Sequence, residues 1–207
     1  MKLFIVRHGE TVENAARIVM GQREGQLSAR GRQQARDIAR RLNGEHIDCI
    51  YTSDLGRAVE TAKILSESLG SDMRIERRLR EQHFGGYEGR PFMTLLRHIK
   101  KTGEEFISLN PPGGEPSEAF RHRVSDFFGE AEKQHRQDSI VLVTHYGVIT
   151  VLLASLLGYS SGLSTKDCLV HGVILLADVD AGRTLSLRYS GPADVPARWS
   201  MIRGKDK

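Results

Sequence analysis

Two stretches of this 207-residue chain end in the same way. Leu3-Phe4-Ile5-Val6 runs into Arg7-His8-Gly9-Glu10, and Ile140-Val141-Leu142-Val143 runs into Thr144-His145-Tyr146-Gly147. Each places an imidazole at the end of an apolar run, with a glycine close behind. An imidazole whose ring nitrogen is unprotonated serves as a nucleophile, a ligand or a proton carrier. Arg7 adds a planar fork that binds an oxyanion through two parallel hydrogen bonds. Arg57 is a second such cation, and it falls in the first turn of an expected helix, where the helix dipole disfavours positive charge. An anion bound between Arg57 and the helix terminus would remove that conflict.

The elements that must position these groups follow from periodicity. The apolar runs at 3–6 and 140–143 are branched and unbroken, as in strands of a parallel sheet covered on both faces. Open α/β sheets bind ligands beyond the carboxyl ends of their strands, so adjacent parallel strands would bring His8 and His145 together. Ser28 is an N-cap for a helix carrying Ala35, Ile38, Ala39 and Leu42, ending at Asn43-Gly44. Ile47 to Thr52 is a second strand, and Ser53-Asp54 caps a helix with Ala58, Ala62, Leu65 and Leu69 on its buried face. Arg74-Ile75-Glu76 is a short strand. A long helix places Ala119, Phe120, Val124, Phe127, Phe128 and Ala131 on one stripe, and another carries Val148, Ile149, Leu152, Leu153 and Leu156. Strands from Leu169 to Val179 and Thr184 to Tyr189, joined by Asp180-Ala181-Gly182-Arg183, form an antiparallel edge. The expected fold is three-layer α/β/α with a mostly parallel central sheet.

The irregular stretches 11–26 and 90–116 lie where loops usually carry binding groups. The second contains a short helical pattern (Phe92, Leu95, Leu96, Ile99), the basic patch Arg97-His98 and Lys100-Lys101, and Pro111-Pro112-Gly113-Gly114. It is expected to be a lid-like insertion in a single domain spanning 1–207.

Composition narrows the classes. Apolar residues make up 39% with no run long enough for a membrane span. Met1 leads through a charged residue into the first strand without a signal-peptide pattern, which gives the expectation of a cytoplasmic protein. Cys49 and Cys168 match no metal spacing and suit reduced core thiols. The net charge of +4 is mild, aromatics are 6%, and no basic stretch interleaves with aromatics. Neither a nucleic acid nor a membrane is therefore expected as a partner. A homodimer is left open.

Five ordered segments carry a resemblance. They are Arg7-His8-Gly9-Glu10-Thr11 with Asn14, Leu27-Ser28-x-x-Gly31-x-x-Gln34-Ala35, Thr52-Ser53-Asp54-Leu55-Gly56-Arg57-Ala58-x-x-Thr61-Ala62, Leu79-Arg80-Glu81-x-x-Phe84-Gly85-x-x-Glu88-Gly89, and Thr144-His145-x-Gly147. In this the chain resembles the histidine phosphatase superfamily, also called phosphoglycerate mutase-like. The resemblance implies that Arg7, His8, Arg57 and His145 form a phosphate pocket, that His8 becomes phosphorylated, and that Glu81 is the acid. It also implies a phosphate contact for Asn14. Tyr146 stands where a small residue is common, so it narrows the pocket or adds a hydroxyl to it.

The residues support that chemistry on their own terms. Phosphoryl transfer needs a nucleophile, groups that neutralise the equatorial oxygens, and a proton for the departing alkoxide. Arg7 and Arg57 favour neutral His8, and His8 then needs an acceptor on its second nitrogen to fix the tautomer. A metal triad of His8, His145 and Glu81 is the competing arrangement, but two fixed arginines beside a divalent cation argue against it. The other histidines, His46, His83, His98, His122, His135 and His171, are expected at the surface or in packing, with His83 the exception to watch because it lies two positions from Glu81. The short form resembles broad-specificity and α-ribazole phosphatases more than cofactor-dependent mutases, which carry longer insertions. The expectation is a metal-independent phosphomonoesterase, without a cofactor, acting on a small-molecule phosphate ester, with a mutase as the alternative.

Overall fold

The computed structural model describes residues 1–157, 170–180, 183–191 and 200–201. Its centre is a seven-stranded sheet of β1 (Lys2–Arg7), β2 (Cys49–Thr52), β3 (Met73–Ile75), β4 (Ser139–Thr144), β5 (Ile174–Asp180), β6 (Arg183–Ser190) and β7 (Ser200–Met201), in the order β3-β2-β4-β1-β5-β6-β7. The first four strands are parallel, and β5, β6 and β7 continue the sheet through antiparallel pairings.

Alternation along the strands divides the core between two layers. Phe4, Val6, Val141 and Val143 pack on one face against α2 (Ala29–Leu42) and α3 (Gly56–Leu69). Leu3, Ile5, Ile140 and Leu142 face the other way, onto α5 (Ser117–Gln134) and α6 (Tyr146–Leu157). The helices cover both faces, so β1 and β4 are wholly apolar at their centres, as the sequence pattern requires. Two short helices, α1 (Val12–Ala15) and α4 (Phe92–Thr102), lie in the connections at 11–26 and 90–116.

Several local expectations change in the structure. Ser53-Asp54 does not cap α3: the N-cap is Leu55, without a side-chain bond, and the Asp54 carboxylate instead receives a bidentate pair from Arg80 at 2.6 and 2.7 Å. A guanidinium fork outcompetes two backbone N–H groups for the same oxygens. Ala119 is exposed on α5, because the stripe that meets the core runs through Phe120, Val124, Phe127 and Ala131. Phe128 and Leu69 are only partly buried, at the margins of their clusters. Cys49 is a buried free thiol, whereas Cys168 and the expected strand start at Leu169 lie outside the described residues. Among the described residues no helix is long and apolar enough to cross a membrane.

Candidate active site

The register of β1 and β4 assembles the site. Arg7 is paired with Thr144, so both chains leave the sheet at the same level and His8 N–H donates to Thr144 O at 2.9 Å. The His8 and His145 ring centroids are 5.0 Å apart. Turning the chain immediately after His8 depends on two glycines: a Cβ on Gly9 would overlap the carbonyl oxygen of Gly31, in the first turn of α2. Side chains then hold the turn from outside. Thr61 Oγ1 accepts from Gly9 N–H at 3.1 Å, and Gln34 Oε1 accepts from Glu10 N–H at 2.9 Å. The segments around Gly31, Gln34 and Thr61 are therefore the scaffold of the His8 turn.

His8 is 3% exposed, and its two nitrogens have different environments. Nδ1 lies 2.8 Å from the Gly9 carbonyl oxygen, which can only accept, so Nδ1 carries the proton. Nε2 keeps its lone pair and receives a long hydrogen bond of 3.3 Å from Arg57 Nε. Burial first, and then Arg57, His145, His171 and Arg7, hold the His8 pKa well below the usual histidine value.

Arg57 is 1% exposed and held from three sides, with its terminal nitrogens donating to Arg23 O at 2.8 Å and Gly21 O at 2.7 Å. Those carbonyls belong to the 11–26 connection, which thus aims the guanidinium at His8. The Arg7 guanidinium also lies deep, where burial lowers its pKa to about 10 against the upward pull of Glu81, and its Cζ is 5.6 Å from the Tyr146 ring centre. His145 is fully buried, and among the described residues neither of its ring nitrogens has a hydrogen-bond partner. Buried polar nitrogens of this kind are costly unless a ligand or water meets them. Burial, with Arg57 and Arg7, keeps His145 neutral as well.

Glu81 faces this group from the other wall and is 7% exposed. Its carboxylate accepts from Gln82 N–H at 2.9 Å and Gly147 N–H at 3.1 Å, yet burial outweighs these bonds and the nearby arginines, raising its pKa. Gly147 must lack a side chain, since a Cβ there would strike Glu81 Oε1. The loop bearing Glu81 is fixed by Arg123, which donates to Arg78 O at 2.6 Å, Arg80 O at 2.7 Å and Glu81 O at 3.0 Å while pairing with Glu115. Nothing in the sequence marked Arg123, which sits amid the apolar stripe of α5.

Asn14 and Tyr146 line the same cavity. Asn14 Oδ1 caps α1 by accepting from Thr11 N–H at 3.2 Å, which leaves the amide NH₂ as the end able to donate. The Tyr146 ring meets Phe106 edge-on at 5.0 Å. The histidine expectations need correction: His83 lies outside the cavity wall, 43% exposed and 3.7 Å from Glu88, whereas His171 lines it. His171 Nδ1 donates to His8 O at 2.6 Å, its ring is 5.2 Å from that of His8, and burial holds its pKa at about 3. The sequence pattern put His171 inside the strand expected from Leu169, whereas 170–172 form a bend and turn and β5 begins only at Ile174. Because β5 runs antiparallel to β1, with Ile174 opposite Val6, residues preceding β5 fall beside residues following β1.

Among the described residues no three His, Cys, Asp or Glu side chains are gathered so as to hold a metal ion. What is gathered has the chemistry to bind an anion: two guanidinium groups and neutral imidazoles around the Nε2 lone pair of His8, with a buried carboxyl group opposite.

The chain is similar to several known proteins. The family model described as histidine phosphatase superfamily, branch 1, matches residues 3–181. Phosphoglycerate mutase-like protein 4 of Arabidopsis thaliana is 35% identical over 158 residues, covering 73% of this chain and 69% of that protein. Fructose-2,6-bisphosphatase TIGAR of Xenopus tropicalis is 41% identical over 131 residues, covering 61% and 48% respectively. The crystal structure of the α-ribazole phosphatase from Shigella flexneri superimposes with a TM-score of 0.75 at 27% identity, covering 89% of this chain and 93% of that one.

Proposed function

The chain belongs to the histidine phosphatase superfamily and is a phosphatase of it, and from that premise we propose that it hydrolyses a small phosphate monoester through a phosphohistidine on His8, without a metal. The observation that carries this reading is the His8 tautomer: Gly9 O holds the proton on Nδ1, and Nε2 presents its lone pair to the cavity beside Arg57.

In the first step Nε2 attacks phosphorus as the ester P–O bond breaks. Arg7 and Arg57 take the equatorial oxygens, and His145 donates a hydrogen bond from a ring nitrogen that has no partner among the described residues. Asn14 donates from its amide end to the same phosphate. Glu81, kept protonated upward of the ordinary carboxylate range by burial, gives its proton to the departing alkoxide. In the second step Glu81, now ionised, takes a proton from water. The water oxygen attacks phosphorus, the N–P bond breaks, and inorganic phosphate leaves with His8 neutral again. The 90–116 segment covers the cavity as part of the same 1–207 domain, and Tyr146 narrows the entrance.

Rapid quenching with ³²P-labelled ester should trap acid-labile, base-stable label on the protein, absent in His8→Ala, with turnover unchanged by exhaustive chelation. Label in His8→Ala would remove His8 as the nucleophile, and turnover restored only by added zinc, iron or magnesium would remove the metal-free mechanism. Primer-dependent interconversion of 2- and 3-phosphoglycerate, faster than phosphate release, would make the protein a mutase instead.

A further inference from the structure

The cavity is larger than a phosphate needs, at about 490 Å³, within the range that encloses a whole small molecule. Its polar lining comes from the groups around His8 together with Asn14 and Arg17. The rest of the described lining is mostly apolar, with Phe84, Phe92, Leu95, Leu96, Ile99 and Phe106, and Tyr146 beside them. Residues 92, 95, 96 and 99 follow helical spacing, so α4 turns one continuous apolar stripe to the cavity.

This wall is a fixed surface. Leu95 and Phe84 are buried in a small cluster with Val19 and Leu109, separate from the two main cores, and the Phe106 ring packs against both Phe84 and Tyr146. Phe92 and Leu96 are held on the same helix and stay 39% and 38% exposed, an arrangement that leaves apolar area uncovered beside a catalytic centre. The basic residues of α4, by contrast, take no part: Arg97, Lys100 and Lys101 are outside the wall. Among the described residues, the charged lining residue outside the group around His8 is Arg17, and it is exposed. A second anionic group on the substrate would therefore be drawn from water into an apolar wall without a buried cation to meet it.

Resting on the phosphomonoesterase reading, we infer that this cavity selects monoesters whose alcohol portion is bulky and apolar and carries no second anion, with the α4 stripe and Phe106 as the leaving-group subsite. Single methylenes in such a pocket discriminate by about 10- to 200-fold, so a ring or branched chain has ample contact to be selected.

The test compares kcat/KM for 2-phenylethyl phosphate, glycerol 1-phosphate and 3-phosphoglycerate, all of which leave as alkoxides and so make similar demands on Glu81. Expected is a preference of about tenfold or more for the phenylethyl ester over each of the others. Phe92→Ser and Leu96→Gln, both at partly exposed positions, should each lower the phenylethyl-to-glycerol ratio by about fivefold or more, while Met93→Gln, on the same helix but outside the wall, should leave the ratio in place. Equal or better use of glycerol 1-phosphate or 3-phosphoglycerate would overturn the inference while leaving the phosphatase reading standing, as would ratios unmoved by Phe92→Ser and Leu96→Gln. Absence of turnover and of His8 labelling with every ester would overturn both.

Discussion

Replacing Gly147 by alanine moves Glu81 without altering any charge. Gly147 is the second residue of α6, where helix propensity alone would have alanine stabilise the protein by about 1 kcal/mol. A Cβ there runs into Glu81 Oε1, with the Phe120 ring 3.2 Å away to close the other side. The obstacle is the far end of a side chain, so the carboxyl group yields and the backbone stays. Yielding pulls Oε1 off the Gln82 N–H and strains the bond from Gly147 N–H to Oε2, each worth about 0.5–1.5 kcal/mol to a neutral carboxyl group. Set against the propensity gain, these losses leave stability within about 1 kcal/mol of the parent, a Tm shift of no more than about 4 °C. The effect on rate is larger, because a general acid contributes about 10²- to 10⁴-fold and a displacement near 1 Å can remove about 10². Rapid-quench rates of phosphoenzyme formation should fall about 10²-fold with glycerol 1-phosphate but less than about tenfold with 4-nitrophenyl phosphate, whose phenolate needs no proton. An alanine enzyme with the parent's alkyl-to-aryl ratio would refute both the packing argument and the assignment of Glu81 as acid.

Three further outcomes follow from the same geometry. His8, His145 and His171 all have folded pKa values below the ordinary 6.5, so the unfolded chain binds these protons first and stability drops as pH falls below 6.5; Glu81, with a raised folded pKa, opposes with one proton. Stability therefore falls as pH drops below about 6.5, and urea midpoints should show the slope reduced by about one proton, roughly 1.4 kcal/mol per pH unit, in His171→Asn; an unchanged slope would count against the burial of that histidine. Gly9→Ala should cost more than 3 kcal/mol or prevent folding, because its Cβ meets the backbone of Gly31, which cannot rotate away; a Tm within 2 °C of the parent would contradict that close approach. Arg123→Met keeps an unbranched apolar side chain but loses the guanidinium that lies over Phe120 and releases the carbonyls of Arg78, Arg80 and Glu81, and kcat on alkyl esters should fall about tenfold or more with KM little changed; loss confined to KM would indicate a different role for the loop.

The fold and most of the site were legible in the sequence because they are local patterns. An apolar run broken by Arg-His-Gly states where a strand stops and which side chains stand at its end, and helical spacing states which face of α2, α3 or α6 is buried. Arg7, His8, Arg57 and His145 stand in such patterns, so they could be named as candidates before any strand was paired, although their joint role came only from the family resemblance. Periodicity says that a face is covered without saying by what, and here tertiary structure decided the outcome. The stripe of α4 turned to the cavity rather than to the sheet, and Arg123 left its apolar neighbours to gather the carbonyls of the Glu81 loop. Asp54 went to Arg80 instead of to a helix end. His171, 163 residues from His8, reached it only because β5 enters the sheet antiparallel to β1 at the edge where β1 ends. Which strand pairs with which, in which direction and register, is fixed by packing across the whole chain, and no short segment contains that information.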